Sequence, residues 1–269
     1  MPELPEVIVL RNGLRKEVIG KKILSIDTFS DYPLIPSKSH FDNYVVESTI
    51  SNALNISKLL VLKLSSGHYI CIHLKLTGNI LYNNSDKYTK ISFLLTGGDQ
   101  LNYSTIRKFG FLELWDEKKL NDYAQRHGKT VLESNLGAPE FIALTNGKRK
   151  SIRNTLLDQT VVSGIGNIYA NEALFLSKIN PKSMTSTLSS QQLEELLNNL
   201  QKVLKAGVAN GGSSIDRYKN IYGISGTQQN HFLVYQNKGN TCTRCKSGQI
   251  LYEKYQGRSI YYCPNCQKE

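Results

Sequence analysis

Two Cys-x-x-Cys pairs near the C-terminus constrain the fold of this chain more than any other feature. Cys242 and Cys245 form the first pair, Cys263 and Cys266 form the second, and seventeen residues separate them. Four thiolates arranged in two close pairs provide a tetrahedral site for Zn²⁺, and a site filled entirely by protein ligands is structural. Disulfides are the alternative, but the N-terminus shows no secretion signal, so we expect one structural zinc ion.

The residues between the two pairs predict a β-hairpin. Ile250–Tyr252 and Ser259–Tyr262 have the composition of two short strands, with a turn at residues 256–258. This turn would present Arg258, and a guanidinium group binds phosphate with two parallel hydrogen bonds.

The charge balance points to a polyanionic partner. The net charge is +11 with a pI of about 9.3, and from residue 200 onward ten lysines and arginines accompany three carboxylate residues. A second basic cluster comprises Lys148, Arg149, Lys150 and Arg153. Such clusters are usually solvated surface, but these lie beside the motifs described below, so we favour nucleic acid as the partner.

The hydrophobic pattern changes along the chain. Residues 6–18 have the periodicity of an amphipathic helix, residues 23–115 consist of short β-rich runs separated by turns, and helical periodicity follows from residue 117. Helices are predicted over 139–145, 148–157, 168–176 and 189–206, and a mobile loop over 213–229. This order predicts an α+β multidomain protein with a leading helix, a β-sandwich or barrel, a helical region and the finger.

The first residues offer a nucleophile. If Met1 is removed, as a small second residue favours, Pro2 carries a free secondary amine beside the carboxylate of Glu3. Such an amine adds to a sugar aldehyde carbon and gives an iminium ion, and its pKa is far below that of a lysine. The other interpretation is that Pro2 and Pro5 simply begin a helix that packs on the core.

Several other short motifs carry functional side chains, each with a packing alternative. The turn Gly164–Gly166 opens a helix that begins near Asn167, an arrangement that binds phosphate. Lys58 lies before a predicted strand, and two predicted turns carry further exposed candidates. These are Leu76 in the first turn and Arg107 and Phe109 in the second, suited to filling a gap in a base stack.

Taken together, these motifs resemble the formamidopyrimidine-DNA glycosylase family, which includes the endonuclease VIII-like enzymes. The resemblance runs from the first residue to the last. The motifs that carry it are Pro2–Val7, Lys58, His73–Gly78, Arg107–Gly110, Leu156–Gln159, Gly164–Tyr169 with Glu172, Gly211–Ser213, and Gly257–Ser259 within the four-cysteine finger.

The resemblance implies a bifunctional DNA glycosylase and abasic-site lyase for oxidised purines. It implies that Pro2 attacks the sugar C1′, that Glu3 is a proton donor, and that Lys58 is a further acid and phosphate contact. It also implies phosphate contacts by Asn167 and Arg258, with catalytic importance for Arg258. Leu76, Arg107 and Phe109 would fill the void in the duplex, and Arg149 and Arg153 would also contact DNA.

The resemblance also implies a domain plan. Residues 1–117 would form the catalytic β-sandwich, 118–134 a linker, 135–233 a helix–two-turns–helix domain and 234–269 the zinc finger, with DNA in the cleft. The partner would be damaged double-stranded DNA. We expect a monomer without a membrane partner, and by default a cytoplasmic, nucleoid-associated location, with an organelle or nucleus as alternatives.

Three positions depart from the family pattern. Leu76 stands where methionine is common, Thr105 and Ile106 replace Asp-Pro, and Arg153 replaces a lysine. These changes bear on loop rigidity and substrate preference. Two alternative functions stay open: a glycosylase for oxidised pyrimidines, or a lesion-binding protein without catalysis if Met1 is retained.

Overall fold

The structure, a computed structural model, describes residues 1–30, 32–107 and 109–268. Its α-helices are α1 (Leu4–Glu17), α2 (Lys38–Tyr44), α3 (Glu117–Gln125), α4 (Ala138–Thr145), α5 (Ile152–Leu157), α6 (Asn167–Leu176) and α7 (Ser190–Ala209). Its strands are β1 (Ile23–Thr28), β2 (Ile50–Ile56), β3 (Leu59–Leu64), β4 (Tyr69–His73), β5 (Asn79–Tyr82), β6 (Thr89–Leu95), β7 (Gln100–Ser104), β8 (Phe111–Trp115), β9 (Leu251–Tyr255) and β10 (Arg258–Tyr262).

The chain divides into two compact units. The first contains Met1–Gln125 and Val208–Gln229, and the second contains Arg126–Gly207 and Asn230–Glu269. The segment Val208–Gln229, which the sequence analysis assigned to the helical domain, therefore clusters with the N-terminal part of the chain. The architecture is α+β, and the predicted combination of β-sandwich, helical region and cysteine-bearing hairpin is confirmed.

Two four-stranded antiparallel sheets form the first unit. Their strand orders are β1-β6-β7-β5 and β2-β3-β4-β8. Side chains from both sheets, such as Phe93 and Leu62, meet in one core, which also receives Val7, Leu10 and Leu14 of α1. The leading helix is thus part of the sandwich core, as its apolar periodicity predicts.

Strand β3 lacks the polar–apolar alternation of a surface strand because both of its faces are buried. Leu60 and Leu62 point into the main core, whereas Leu59 and Val61 belong to a second cluster that contains Leu120 of α3. The sequence predicts a polar linker over residues 118–134, but its first part is helix α3. Leu120 and its neighbour Tyr123 lie on one side of this helix and pack on the outer face of the sheet.

The helices of the second unit follow the prediction with one correction. Helix α7 begins with Ser189 as its N-cap, which accepts a hydrogen bond from the Gln192 backbone N–H at 3.2 Å. Helix α5, however, begins at Ile152 and not at residue 148. The residue immediately before the helix, Ser151, forms a β-bridge with Met184 and is therefore not helical.

The finger contains the predicted hairpin. Strands β9 and β10 pair antiparallel, and Gln256 and Gly257 form the turn with φ angles of +47° and +79°. Two positive φ angles characterise the tight turns that match the twist of a hairpin. Arg258 therefore begins β10 immediately after the turn, in an exposed position.

Residues 213–229 contain little regular structure, as predicted, but they are packed onto the first unit. Tyr218 and Ile221 are buried in the sandwich core, and the Tyr82 backbone N–H donates to the Ile221 carbonyl at 2.7 Å. The prediction of a mobile loop rested on the many polar residues, whereas these two apolar side chains determine the packing.

Within the described residues, none of the helices combines the length and the apolar character needed to cross a membrane.

We expect Gly207→Ala to lower the thermal unfolding temperature, although alanine is the better helix former. A Cβ at Gly207 would lie 2.4 Å from the hydroxyl and 2.7 Å from the ring of buried Tyr169, and such overpacking costs about 1–3 kcal/mol. Asn198→Ala on the exposed side of the same helix is the control, for which helix propensity predicts a small rise. Equal shifts in circular dichroism melts of the two variants would contradict this packing.

Candidate functional site

The N-terminal residues Pro2 and Glu3 lie immediately before α1, and both are buried. The Glu3 backbone N–H donates to Oε2 of Glu6 at 2.7 Å, which fixes the direction in which the chain enters the helix. With Met1 in place, Pro2 is therefore buried and belongs to the ordered N-terminal cap of α1. Met1 itself is 48% exposed.

Glu6 also holds the segment that follows α7. Its Oε1 accepts a hydrogen bond from the Ser213 backbone N–H at 2.8 Å, and its backbone carbonyl accepts from the Tyr218 hydroxyl at 3.3 Å. Gly212 is required here, since it has a φ of +85° and a Cβ would lie 2.9 Å from Cγ of Glu6. The Gly-Gly-Ser motif thus provides a close approach to the N-terminus.

Sequence reasoning included Glu6 in the N-terminal motif but gave it no role. The signal was present, because an acidic residue three positions after Glu3 has the spacing of a capping box. What the sequence does not show is its second partner, Ser213, which is 207 residues away.

Lys58 occupies a two-residue turn between β2 and β3. Ser57 has a φ of +54°, and its carbonyl accepts from the side-chain amide of Asn55 at 3.2 Å. Arg11 of α1 donates to the Asn55 side-chain oxygen at 2.8 Å, so this turn is tied to the leading helix. Lys58 is only 8% exposed, so most of this residue is buried within the first unit.

The three candidates for filling a duplex gap are all exposed. Leu76 is 41% and Phe109 is 63% exposed, and Arg107 also lies on the surface. Lys108 of the same motif lies outside the described residues. Exposed apolar side chains of this size on neighbouring loops are available for a partner.

Two threonines connect the loops that carry these side chains. The Thr77 hydroxyl accepts from the Arg107 backbone N–H at 3.2 Å and lies 3.4 Å from the hydroxyl of Thr105, which is fully buried. Gly110 packs against the first loop, because a Cβ there would lie 2.5 Å from the His73 carbonyl oxygen. The replacement of Asp-Pro by Thr105 and Ile106 therefore retains a defined connection between the loops.

The glycine-rich turn before α6 is held by Gln159. The Gln159 amide donates to the Ile165 carbonyl at 3.0 Å and its oxygen accepts from the Gly164 backbone N–H at 2.9 Å. Gly164 has a φ of +91°. Asn167 is the first residue of α6 and is half-buried, so its amide lies at the positive end of the helix dipole.

The basic residues near α5 differ in exposure. Arg149 is exposed, and Lys150 donates to the carboxylate of Asp158 at 2.8 Å. This ammonium group, together with the Thr160 hydroxyl, lowers the pKa of Asp158 to about 2. Arg153 is fully buried, and the structure therefore places it among protein groups and away from the surface.

Arg153 and Asn167 meet at the finger hairpin. The Arg153 guanidinium donates to the side-chain oxygen of Asn167 at 2.7 Å and to the Ser259 carbonyl at 3.3 Å. Asn167 in turn donates to the same Ser259 carbonyl at 2.9 Å. The structure thus brings together Arg153, Asn167 and the residue next to Arg258.

The four cysteines form a cluster suited to a metal ion. Their sulfur atoms all lie within 4.8 Å of one another, and the Cys242–Cys266 and Cys245–Cys263 pairs are each 3.8 Å apart. A tetrahedral thiolate site with metal–sulfur bonds of about 2.3 Å has sulfurs about 3.8 Å apart, so the donor set fits. These distances also exclude a disulfide, whose sulfurs lie about 2.05 Å apart.

Backbone groups favour the thiolate at Cys245, one of the four cysteines, whereas burial raises the pKa of Cys263 and of Cys266. The N–H groups of Ser247 and Gly248 lower the pKa of Cys245 to about 6, which favours the thiolate. Gly248 cannot be replaced without movement, since a Cβ would lie 2.9 Å from Sγ of Cys263. Cys71, the fifth cysteine, is buried in the sandwich, and burial raises the pKa of its thiol.

The finger is anchored on α6. Glu172 is 3% exposed, and its carboxylate accepts hydrogen bonds from three consecutive backbone N–H groups, at Leu233, Val234 and Tyr235. Arg244 of the first cysteine pair donates to the Phe175 carbonyl at 2.7 Å, at the C-terminal end of the helix. The helix that begins at Asn167 therefore also positions the metal-binding cluster.

We expect Glu6→Gln to destabilise the first unit. The amide nitrogen would face either the Glu3 or the Ser213 backbone N–H, and a buried donor without a partner costs about 1–3 kcal/mol. Glu17→Gln is the control, because its partly exposed side chain accepts from the Tyr222 hydroxyl, which an amide oxygen can still do. A thermal melt that shifts equally for both variants would contradict the assigned role of Glu6.

We expect the purified protein to contain one equivalent of bound metal, which Cys263→Ser abolishes or strongly weakens. Removal of one of four thiolate ligands opens the site, whereas Cys71→Ala leaves all four in place. Elemental analysis of the two variants beside the unmodified chain measures this. Retention of the metal in Cys263→Ser, or its loss in Cys71→Ala, would contradict the assigned ligand set.

Family comparisons agree with this arrangement. Residues 1–112 match the model of the formamidopyrimidine-DNA glycosylase N-terminal domain, and residues 128–219 match that of the formamidopyrimidine-DNA glycosylase H2TH domain. The formamidopyrimidine-DNA glycosylase of Chloroflexus aurantiacus is 34% identical over 275 residues, covering 99% of this chain and 98% of the relative. That of Streptococcus thermophilus is also 34% identical, over 100% of both chains.

Solved structures show the same fold. The Lactococcus lactis enzyme in complex with DNA containing an abasic site superimposes with a TM-score of 0.90 at 29% identity, over 99% of this chain and 100% of that one. MutM in complex with DNA containing carbocyclic 8-oxo-G gives 0.90 at 28% identity, over 100% of both chains. From the two matched domains and the full-length relatives, this chain belongs to the formamidopyrimidine-DNA glycosylase family.

Proposed function

We propose that this protein is a bifunctional DNA glycosylase and abasic-site lyase of base excision repair that removes oxidised purines such as 8-oxoguanine and formamidopyrimidines. The observation that carries the proposal is the arrangement of the N-terminus. Pro2 and Glu3 are held at the start of α1 by the carboxylate of Glu6, which accepts one hydrogen bond at each of its two oxygens. The Lactococcus lactis relative has been solved with abasic-site and Fapy-dG DNA, which supports this substrate class.

The reaction begins once Met1 is removed and Pro2 has a secondary amine. The amine nitrogen attacks C1′ of the damaged nucleotide, the N-glycosidic bond breaks, and the base leaves with its bonding electrons and a proton. Glu3 donates a proton to the ribose oxygen as the sugar ring opens. The product is an iminium ion that joins Pro2 to the sugar.

Strand cleavage follows from the same intermediate. The iminium ion acidifies the C2′ proton, whose removal expels the 3′ phosphate in β-elimination. Loss of a second proton then expels the 5′ phosphate in δ-elimination, and water releases the sugar fragment from Pro2. Lys58, buried in its turn in the first unit, is assigned as a further general acid and phosphate contact.

The remaining predicted residues bind the bent duplex. The target nucleotide must leave the base stack before an amine can reach C1′, and Leu76, Arg107 and Phe109 are suited to fill the gap because they are exposed. Asn167 and Arg258 bind phosphates near the extruded nucleotide, and Arg149 contributes to the basic surface. We assign Zn²⁺ to the four-cysteine site, where it stabilises the finger that carries Arg258.

Two further assignments complete the proposal. The protein acts on damaged double-stranded DNA as a monomer, since recognition of a single lesion needs no two-fold symmetry. It works where the genome lies, by default in the nucleoid-associated cytoplasm.

The direct test is a borohydride trapping assay on a duplex with 8-oxoguanine opposite cytosine. We expect a covalent protein–DNA band with the unmodified chain and its loss in Glu3→Gln, because the protonated carboxyl group is the proton donor and an amide cannot replace it. Glu17→Gln, which changes a carboxylate at the far end of the same helix, keeps the band. Pro2→Gly retains part of the signal because glycine also offers an N-terminal amine. A mass measurement of the intact protein establishes whether Met1 is absent.

The assay also separates the alternatives. Trapping on dihydrouracil duplexes without trapping on 8-oxoguanine would replace the purine specificity by a pyrimidine specificity. Tight binding to both duplexes without any covalent band, together with a retained Met1, would replace catalysis by lesion binding.

A further inference from the structure

We propose that Arg153 is a positioning residue that orients the side-chain amide of Asn167 toward the DNA backbone, and that it does not itself contact DNA. The inference rests on the proposed function, because it concerns how the phosphate-binding residues of that function are held. It assigns a role to the residue that replaces lysine in this chain.

Arg153 is 0% exposed, whereas Arg149 four residues earlier and Arg258 in the hairpin are on the surface. A phosphate of a DNA duplex stays at the protein surface and does not enter the interior of the second unit. Arg153 can therefore act on DNA only through the groups that it touches.

Arg153 orients the side-chain amide of Asn167. Arg153 Nη2 donates to the Asn167 side-chain oxygen at 2.7 Å, so the amide nitrogen of Asn167 must point the other way. That nitrogen has two N–H groups, and one donates to the Ser259 carbonyl at 2.9 Å. The second N–H is then oriented by Arg153 and is available to a ligand at the start of α6.

Arg153 is also hydrogen-bonded to the finger hairpin. Nη2 of Arg153 also donates to the Ser259 carbonyl at 3.3 Å, and Nη1 donates to the Asn154 side chain at 3.1 Å. Asn154 is in turn hydrogen-bonded to Gln256, the first residue of the hairpin turn. Arg153 thus contacts Ser259 directly and Gln256 only through Asn154, and these contacts hold Asn167 against the hairpin.

Arg153 carries its positive charge among neutral hydrogen-bond acceptors. The acceptors of Arg153 among the described residues are neutral amide and carbonyl oxygens, and its Nε–H has no partner there. Burial, together with the charge of Arg258, lowers the pKa of Arg153 to about 10, so it stays cationic at neutral pH. A buried cation without a carboxylate partner costs stability, which indicates that the arrangement serves binding of an anion nearby.

A double-mutant cycle tests the proposal. The measured quantity is the dissociation constant for a duplex with a tetrahydrofuran abasic analogue, which is bound but not cleaved by lyase chemistry. Arg153→Gln should bind about tenfold more weakly, the effect of losing one charge-assisted hydrogen bond. Because Arg153 acts through Asn167, the same change should have little effect in an Asn167→Ala background.

The salt dependence provides an independent readout. A direct phosphate contact contributes about 0.9 to the slope of log K against log salt concentration. We expect Arg153→Gln to retain the salt slope of the unmodified chain. For Arg258→Gln we expect the slope to become smaller by about 0.9, the contribution of one phosphate contact. Arg126→Gln is the matched control, because it removes an exposed arginine of the second unit that has no assigned role in DNA binding, and its salt slope, metal content and melting temperature should match those of the unmodified chain.

Two results would overturn the proposal. In the first, the losses of DNA affinity caused by Arg153→Gln and by Asn167→Ala multiply in the double variant. In the second, Arg153→Gln reduces the salt slope of DNA binding as much as Arg258→Gln does. Either result indicates that Arg153 contacts DNA directly. If Arg153→Gln does not fold, Arg153→Lys is used in the same cycle. Any loss of DNA affinity that Arg153→Lys causes must then be absent when Asn167→Ala is also present. Failure of the proposed function is distinct, because then the unmodified chain itself gives no covalent band on damaged DNA.

Discussion

The carboxylate of Glu6 is the group on which the arrangement of the N-terminus depends. One of its oxygens accepts from the Glu3 backbone and the other accepts from Ser213, which is distant in sequence. A residue at the start of a chain has few or no preceding residues to hold it, so the position of Pro2 must come from the helix that it precedes. Here the first turn of α1 is buried in the sandwich core, and Glu6 fixes both the turn and the segment beside it.

The second unit positions its groups through a hydrogen-bond network around α6 and through the cysteine cluster. Helix α6 presents Asn167 at its first residue, holds the residues before the finger through Glu172, and accepts Arg244 at its last turn. One helix therefore sets the position of the Asn167 amide and of the hairpin that carries Arg258. The cysteine cluster secures the far end of that hairpin, which is too short to be stable alone.

Local motifs made much of the fold and of the site predictable from the sequence. The paired cysteines, the N-terminal Pro2 and Glu3, and the glycine turn before Asn167 each lie within a few residues, so the sequence alone points to them as candidates. Only for the cysteines does spacing by itself predict the chemistry, whereas the roles of Pro2, Glu3 and Asn167 rest on the family resemblance. The β-sandwich and the helices followed from periodicity. The start of α5 was misplaced because a β-bridge with Met184, not local propensity, decides it.

The parts that could not be predicted depend on contacts between distant residues. Arg153 was interpreted as a DNA contact because it lies in a basic cluster, yet its acceptors include Ser259, 106 positions later. Helix α3 was interpreted as a linker because its apolar residues are few, although Leu120 covers the outer face of a sheet. Burial of a charged residue and coverage of a sheet are tertiary properties, and composition does not reveal them.

The central claim is that the α-nitrogen of Pro2 is the nucleophile, and peptide mapping of the borohydride-trapped complex tests it most directly. After nuclease and protease digestion, tandem mass spectrometry locates the reduced sugar fragment on the protein. The account predicts that the added mass lies on the N-terminal peptide, at Pro2 and without Met1. A fragment on Lys58, or on any other lysine, would contradict it.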